Sequence, residues 1–180
     1  QKMGFKDINN IVGYNFRMGE IEAAIALSQM RQLNSIIRYR KKLASILNKE
    51  LKNLPYLQIP KKQTGSDHLY YYYALKFKNK NFPKSKIIEE LNKRKIPVEI
   101  NYANIHMLPM FKKKIAYGKY PWKFNMHKVK YGKGACPIAE NINMNEYIGL
   151  HMYKYDYTAD HMYKICNEFK KVWKKFFDYK

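Results

Sequence analysis

The sequence predicts an α/β protein in which one long helix leads into a small α/β domain. Three observations carry this. Apolar residues recur at helical spacing from Glu20 to about Leu54. Two runs rich in aromatic and β-branched residues, His68 to Phe77 and Pro97 to Tyr102, flank a helical pattern opened by Pro83 and running through Leu91, which reads as strand, helix, strand. A second amphipathic pattern, Met162 to Phe176, lies near the end of the chain. The expected division is residues 1–54, a loop segment and the long helix, followed by residues 55–180, the smaller α/β domain.

Each element has a local cause. Residues 1–12 read as loop, because Gly4, Asp7, Asn9 and Asn10 break any period. Gly13 to Met18 reads as a turn that delivers polar groups to a site. Gly19 is placed to cap the following helix, with Glu20 and Glu22 in the first turn, where the helix dipole favours acids. Ile21, Ala24, Ile25 and Ser28 form one face, continued by Leu33, Ile36, Ile37, Leu43, Leu47, Leu51 and Leu54. Asn34-Ser35 is expected to break the pattern into two helices in line, and Pro55 to end it. Tyr56 to Ile59 reads as a short strand, and Tyr70 to Tyr73 as part of a sheet strand rather than a base-stacking platform. Met107 to Gly134 lacks periodicity and holds Pro109, Gly118, Pro121, Gly132 and Gly134, as expected of a long loop that helps form a site. Pro137 opens a short helix to about Met144, Tyr147 to Met152 is the final strand, and Thr158 caps the last helix.

Composition narrows the function classes. With 180 residues, 46% of them hydrophobic, the chain can bury a real core. The 35 Lys and Arg outnumber the 14 Asp and Glu, for a net charge of +21. Such an excess invites a polyanion partner. Yet Lys, Asn, Tyr, Ile and Phe are all abundant, and no arginine-rich run, aromatic-glycine motif or zinc spacing accompanies the charge. Two cysteines, Cys136 and Cys166, make no disulfide framework, and no apolar run reaches membrane-spanning length; both point to a cytoplasmic setting. A first residue of Gln rather than Met suggests a part of something longer. His161 and Cys166 lie five residues apart, on different faces of a helix, so no metal site is expected.

Three motifs carry a family resemblance. Gly13-Tyr14-Asn15-Phe16-Arg17-Met18, followed by Glu20-Ile21-Glu22-Ala23-Ala24, resembles the G-Y-N-x-R-M-x-E-I-x-A-A segment of the DegT/DnrJ-type sugar aminotransferases. Ile105-His106-Met107-Leu108-Pro109-Met110-Phe111 resembles the family's L-H-x-x-P-x-Y/F. Tyr131 to Glu140 resembles its Y-x-K-G-x-C-P-V-A-E.

The resemblance implies the C-terminal part of a fold-type-I transferase dependent on pyridoxal phosphate (PLP), with the long helix crossing into a small α/β domain. The implied reaction moves an amino group from glutamate or glutamine to a keto-sugar nucleotide, for surface polysaccharide or glycan synthesis. Asn15 matches the asparagine whose amide reaches the cofactor phosphate of the neighbouring subunit, which implies a homodimer, and His106 matches a histidine near the substrate entrance, which implies a contact with the sugar nucleotide. No lysine of this chain sits in the family's Schiff-base pattern. No catalytic residue is therefore assigned, the lysine is expected upstream, and the chain alone is expected to be inactive. Cys136, beside Pro137, is expected to be buried rather than nucleophilic. The competing expectation is a non-catalytic basic module that binds nucleic acid or a protein, or that dimerises.

Overall fold

The structure, a computed structural model, describes residues 16–78, 83–100, 103–115, 122 and 128–177. The elements are α1 (Glu20–Leu51), β1 (Leu57–Gln58), β2 (Tyr72–Phe77), α2 (Lys84–Lys93), β3 (Val98–Glu99), a 3-10 turn (Ile105–Met107), α3 (Pro109–Lys112), α4 (Pro137–Asn141), a π turn (Ile142–Glu146), β4 (Tyr147–His151) and α5 (Ala159–Phe176). The expected α/β class is observed, with helices beside a four-stranded sheet of order β1-β2-β4-β3.

Two compact units are present, residues 1–38 and 39–180. The boundary between the units lies within α1, and Leu43, Ala44, Leu47 and Leu51 of the helix are buried in the core of the larger unit. In the smaller unit, the amide of Ala23 donates to the Gly19 carbonyl at 3.0 Å, the first bond of the helix. Ile21, Ile25, Leu27 and Met30 are exposed. Helix α1 runs unbroken through Asn34-Ser35. The Ser35 hydroxyl donates to the Gln32 carbonyl at 2.7 Å, so the side chain bonds back onto the helix instead of diverting the backbone.

The sheet is antiparallel throughout. Strand alternation sends Tyr73, Leu75 and Phe77 of β2, with Ile148 and Leu150 of β4, into the core. There they meet the C-terminal part of α1, Ile87 and Leu91 of α2, and Met162, Cys166, Phe169, Val172 and Trp173 of α5. Thr158 caps α5 as its sequence position predicts: its hydroxyl accepts from His161 N at 3.3 Å, and the His161 ring accepts from Thr158 N at 3.2 Å. Thr158→Ala is expected to cost about 1 kcal/mol, read as a lowered denaturation midpoint with an unchanged m-value.

Candidate functional site

The face of the sheet opposite the core carries Tyr72, Ala74 and Lys76 from β2 and Tyr147, Gly149 and His151 from β4, paired as Tyr72–His151, Ala74–Gly149 and Lys76–Tyr147. Glu99 of β3 pairs with Gly149 and so shares this face. His151 Nε2 lies 2.6 Å from Glu99 Oε2, and the Tyr72 and Tyr153 hydroxyls are 3.4 Å apart. The hydrogen bond with Tyr153, burial and the Glu99 carboxylate together push the Tyr72 hydroxyl pKa up. Tyr72, Ala74 and Tyr147 also line a cleft of about 410 Å³, completed by Asn104, Ala139, Ile142 and Asn143. Asn104 lies two residues before His106 and Ala139 one before Glu140, so the cleft leads from the sheet to the loop that carries the motif histidine.

His106 sits in the 3-10 turn that precedes α3. Leu108, before Pro109, is held extended (φ −63°, ψ 142°), which separates the turn from the helix. The His106 side chain is only 12% exposed, and its Nε2 lies 2.9 Å from Glu140 Oε1. Glu140 belongs to α4, whose first residue is Pro137. It is the buried charged residue among those described.

The chain between these helices is bent by Gly132 (φ +111°) and Gly134 (φ +89°). A Cβ on Gly134 would meet nothing within 4 Å, so the backbone conformation, not space, favours glycine there. The bend aims Gly134 N at Glu140, donating to Oε1 at 2.9 Å and Oε2 at 3.0 Å, and Cys136 N adds a bond to Oε1 at 3.1 Å. Gly132 N donates to the His106 carbonyl at 3.1 Å. One carboxylate thus joins the two motif segments that the sequence keeps apart.

The amide of Gly134, then that of Cys136 and the His106 ring, hold the Glu140 carboxyl below the usual glutamate value of 4.5. A depressed carboxylate contributes stability that is complete above its unfolded value and is lost as pH falls through the lower folded one. Protection of the Gly134 and Cys136 amides from hydrogen exchange is therefore expected to hold from neutrality to about pH 4.5 and to fall below it.

The other expected site residues are placed as follows. Asn15 and Tyr14 lie outside the described residues. Arg17 is exposed, just before α1. Cys136, expected to be buried, is exposed, because it precedes the first turn of α4 and faces outward while its amide serves Glu140. Cys166 is the buried cysteine, and burial pushes its thiol up to about 12.

Burial lowers the ammonium pKa of Lys84, the trait that Schiff-base chemistry needs. Its Nζ, however, donates to the carbonyls of Asn143 and Met144 at 2.8 and 3.0 Å, so it closes the π turn and does not fit an aldehyde. Asn15 and His106 are of types that suit the phosphate and the substrate, whereas Lys84 is held by the π turn. Among the described residues, no helix is long and apolar enough to cross a membrane.

Sequence reasoning quoted Glu140 within a motif but gave it no role. The available signal was an acid in the first turn of a proline-opened helix, where it can turn back onto backbone amides. The His151–Glu99 pair left no local signal, since it depends on strand order.

Comparison with known proteins agrees with the fold and the motifs. A model of the DegT/DnrJ/EryC1/StrS aminotransferase family matches residues 1–170. An uncharacterized protein of Methanocaldococcus jannaschii is 27% identical over 162 residues, 89% of this chain and 38% of that protein. The UDP-4-amino-4,6-dideoxy-N-acetyl-beta-L-altrosamine transaminase of Helicobacter pylori is 31% identical over 104 residues, 56% of this chain and 27% of that enzyme. The solved structure of Helicobacter pylori PseC, an aminotransferase involved in the biosynthesis of pseudoaminic acid, superposes with a TM-score of 0.65 at 21% identity, over 92% of this chain and 40% of that one. The chain spans about two fifths of the length of the Methanocaldococcus jannaschii protein and of the PseC structure. The family's aminotransferases depend on PLP. With its three motifs, its fold and a match over residues 1–170, the chain belongs to the DegT/DnrJ/EryC1/StrS aminotransferase family.

Proposed function

We propose that this chain is the part of a sugar-nucleotide aminotransferase that contacts the cofactor phosphate and the sugar nucleotide. The complete enzyme would move an amino group from glutamate or glutamine to a keto-sugar nucleotide, in the cytoplasm, for surface polysaccharide or glycan synthesis. The observation that carries this reading is the family match over residues 1–170. Relatives named as a UDP-aminosugar transaminase and as a GDP-perosamine synthase favour a nucleotide-linked sugar as acceptor.

When bound, PLP supplies the electron sink through which the amino group passes. The residues of this chain bind and orient. Asn15 would donate its amide N–H groups to the phosphate without adding charge, across a homodimer interface. His106, two residues after the Asn104 that lines the cleft, would contact the sugar nucleotide. The lysine and the ring acid would come from outside these 180 residues, as the family resemblance implies, and Lys84 is committed to the π turn. The crossing helix and small domain remain our reading of residues 1–54 and 55–180.

The native gene product should convert a UDP- or GDP-linked 4-keto sugar to the amino sugar with glutamate or glutamine as donor. Product mass and 2-oxo-acid release would report it. No turnover with either nucleotide series or donor would remove this reading.

A further inference from the structure

The partners of Glu140 determine which proton His106 carries. Two backbone amides donate to its carboxylate, those of Gly134 and Cys136, and the carboxylate is buried. A carboxylate held in this way stays ionised, and an ionised carboxylate only accepts. The His106 atom that meets it, at 2.9 Å, is Nε2. Nε2 must then be the protonated nitrogen, and in a neutral ring Nδ1 is left as an acceptor. Among the described residues Nδ1 has no hydrogen-bond partner. The same segment also grips the His106 backbone, through Gly132 N and the His106 carbonyl. Ring and main chain are therefore fixed from one side.

We propose that Glu140 is a positioning residue that locks His106 as the Nε2–H tautomer, so that Nδ1 accepts a hydrogen bond from a hydroxyl or amide N–H of the sugar nucleotide. Such a nitrogen offers a lone pair, which suits a donor and is repelled by a phosphate oxygen. His106 thereby selects the sugar or base end of the ligand. The ligand half of this inference rests on the reading of His106 as a substrate contact; the tautomer half does not.

The test uses the native gene product with 15N-labelled histidine, in mildly alkaline buffer. The His106 ring is identified by the signals missing from His106→Gln. The wild type should show Nε2 protonated and Nδ1 bare. In Glu140→Gln the carboxamide can donate, so the ring should shift to the Nδ1–H form or to a mixture, while the Gln oxygen still accepts from Gly134 and Cys136. Glu140→Gln should also raise KM for the sugar nucleotide about tenfold, the effect of one hydrogen bond, with KM for the amino donor unchanged. The double variant with His106→Gln should be no worse than His106→Gln alone. A wild-type ring protonated on Nδ1, which needs no variant to observe, would overturn the proposal. So would an unchanged tautomer in Glu140→Gln. If the tautomer is as stated but His106→Gln leaves KM for the sugar nucleotide unaltered, the substrate reading of His106 fails and the ligand half falls with it.

Discussion

Replacing Trp173 with alanine is expected to destabilise the chain by about 4 kcal/mol, the largest single effect on stability. Trp173 is fully buried on α5, with its ring beside Phe77 of β2, Phe169 of its own helix and Phe177 beyond it. Its indole Nε1 donates to the Pro55 carbonyl at 2.9 Å. Truncation would leave a cavity between helix and sheet and strip that carbonyl of its donor, and the two costs add. Trp173→Phe keeps most of the volume but loses the hydrogen bond, so it should cost markedly less. Urea denaturation followed by far-ultraviolet circular dichroism would read both. Ile138→Ala, at a residue 78% exposed, serves as the control and should stay within about 0.5 kcal/mol of the wild type.

The largest functional effect is expected at Asn15. Asn15→Ala in the native gene product should weaken PLP binding by about 10- to 100-fold, the range for a hydrogen bond to a charged group. Asn15→Asp should be worse still, because it sets a carboxylate against a phosphate. Equilibrium dialysis against PLP, monitored by the cofactor's visible absorbance, gives both constants. An unchanged dissociation constant in Asn15→Ala would reduce Asn15 to a turn residue.

Much of the fold was legible because its causes are local. The apolar spacing of Leu43, Leu47 and Leu51, and of Met162, Ile165, Phe169 and Trp173, announces the buried faces of α1 and α5. Thr158 shows as a cap from sequence because capping is settled within one turn. Alternation along β2 resolves the tyrosine run: Tyr73 enters the core and Tyr72 lies on the opposite face, while Tyr71, just before the strand, stays exposed and stacks on Tyr153 with ring centroids 4.1 Å apart. What the pattern missed lies in side-chain bonds to the backbone within a turn or in chain reversals. Asn34-Ser35 looked like a break, but the Ser35 hydroxyl can bond inside the helix. Cys136 looked buried beside a proline, but its environment is set by Glu140 drawing its amide inward. The His106–Glu140 contact spans 34 residues and rests on two left-handed glycines, so neither partner discloses the other in sequence.

On the proposed function, this chain works as part of a PLP-dependent aminotransferase. The most direct measurement is the intact mass and cofactor content of the native gene product, with the attached lysine mapped by peptide mass spectrometry after borohydride reduction. The expected product is about two and a half times this size, with PLP bound and the reduced adduct on a lysine outside these 180 residues. A native product that begins near Gln1 and retains no PLP would contradict it, as would an adduct on a lysine within these residues.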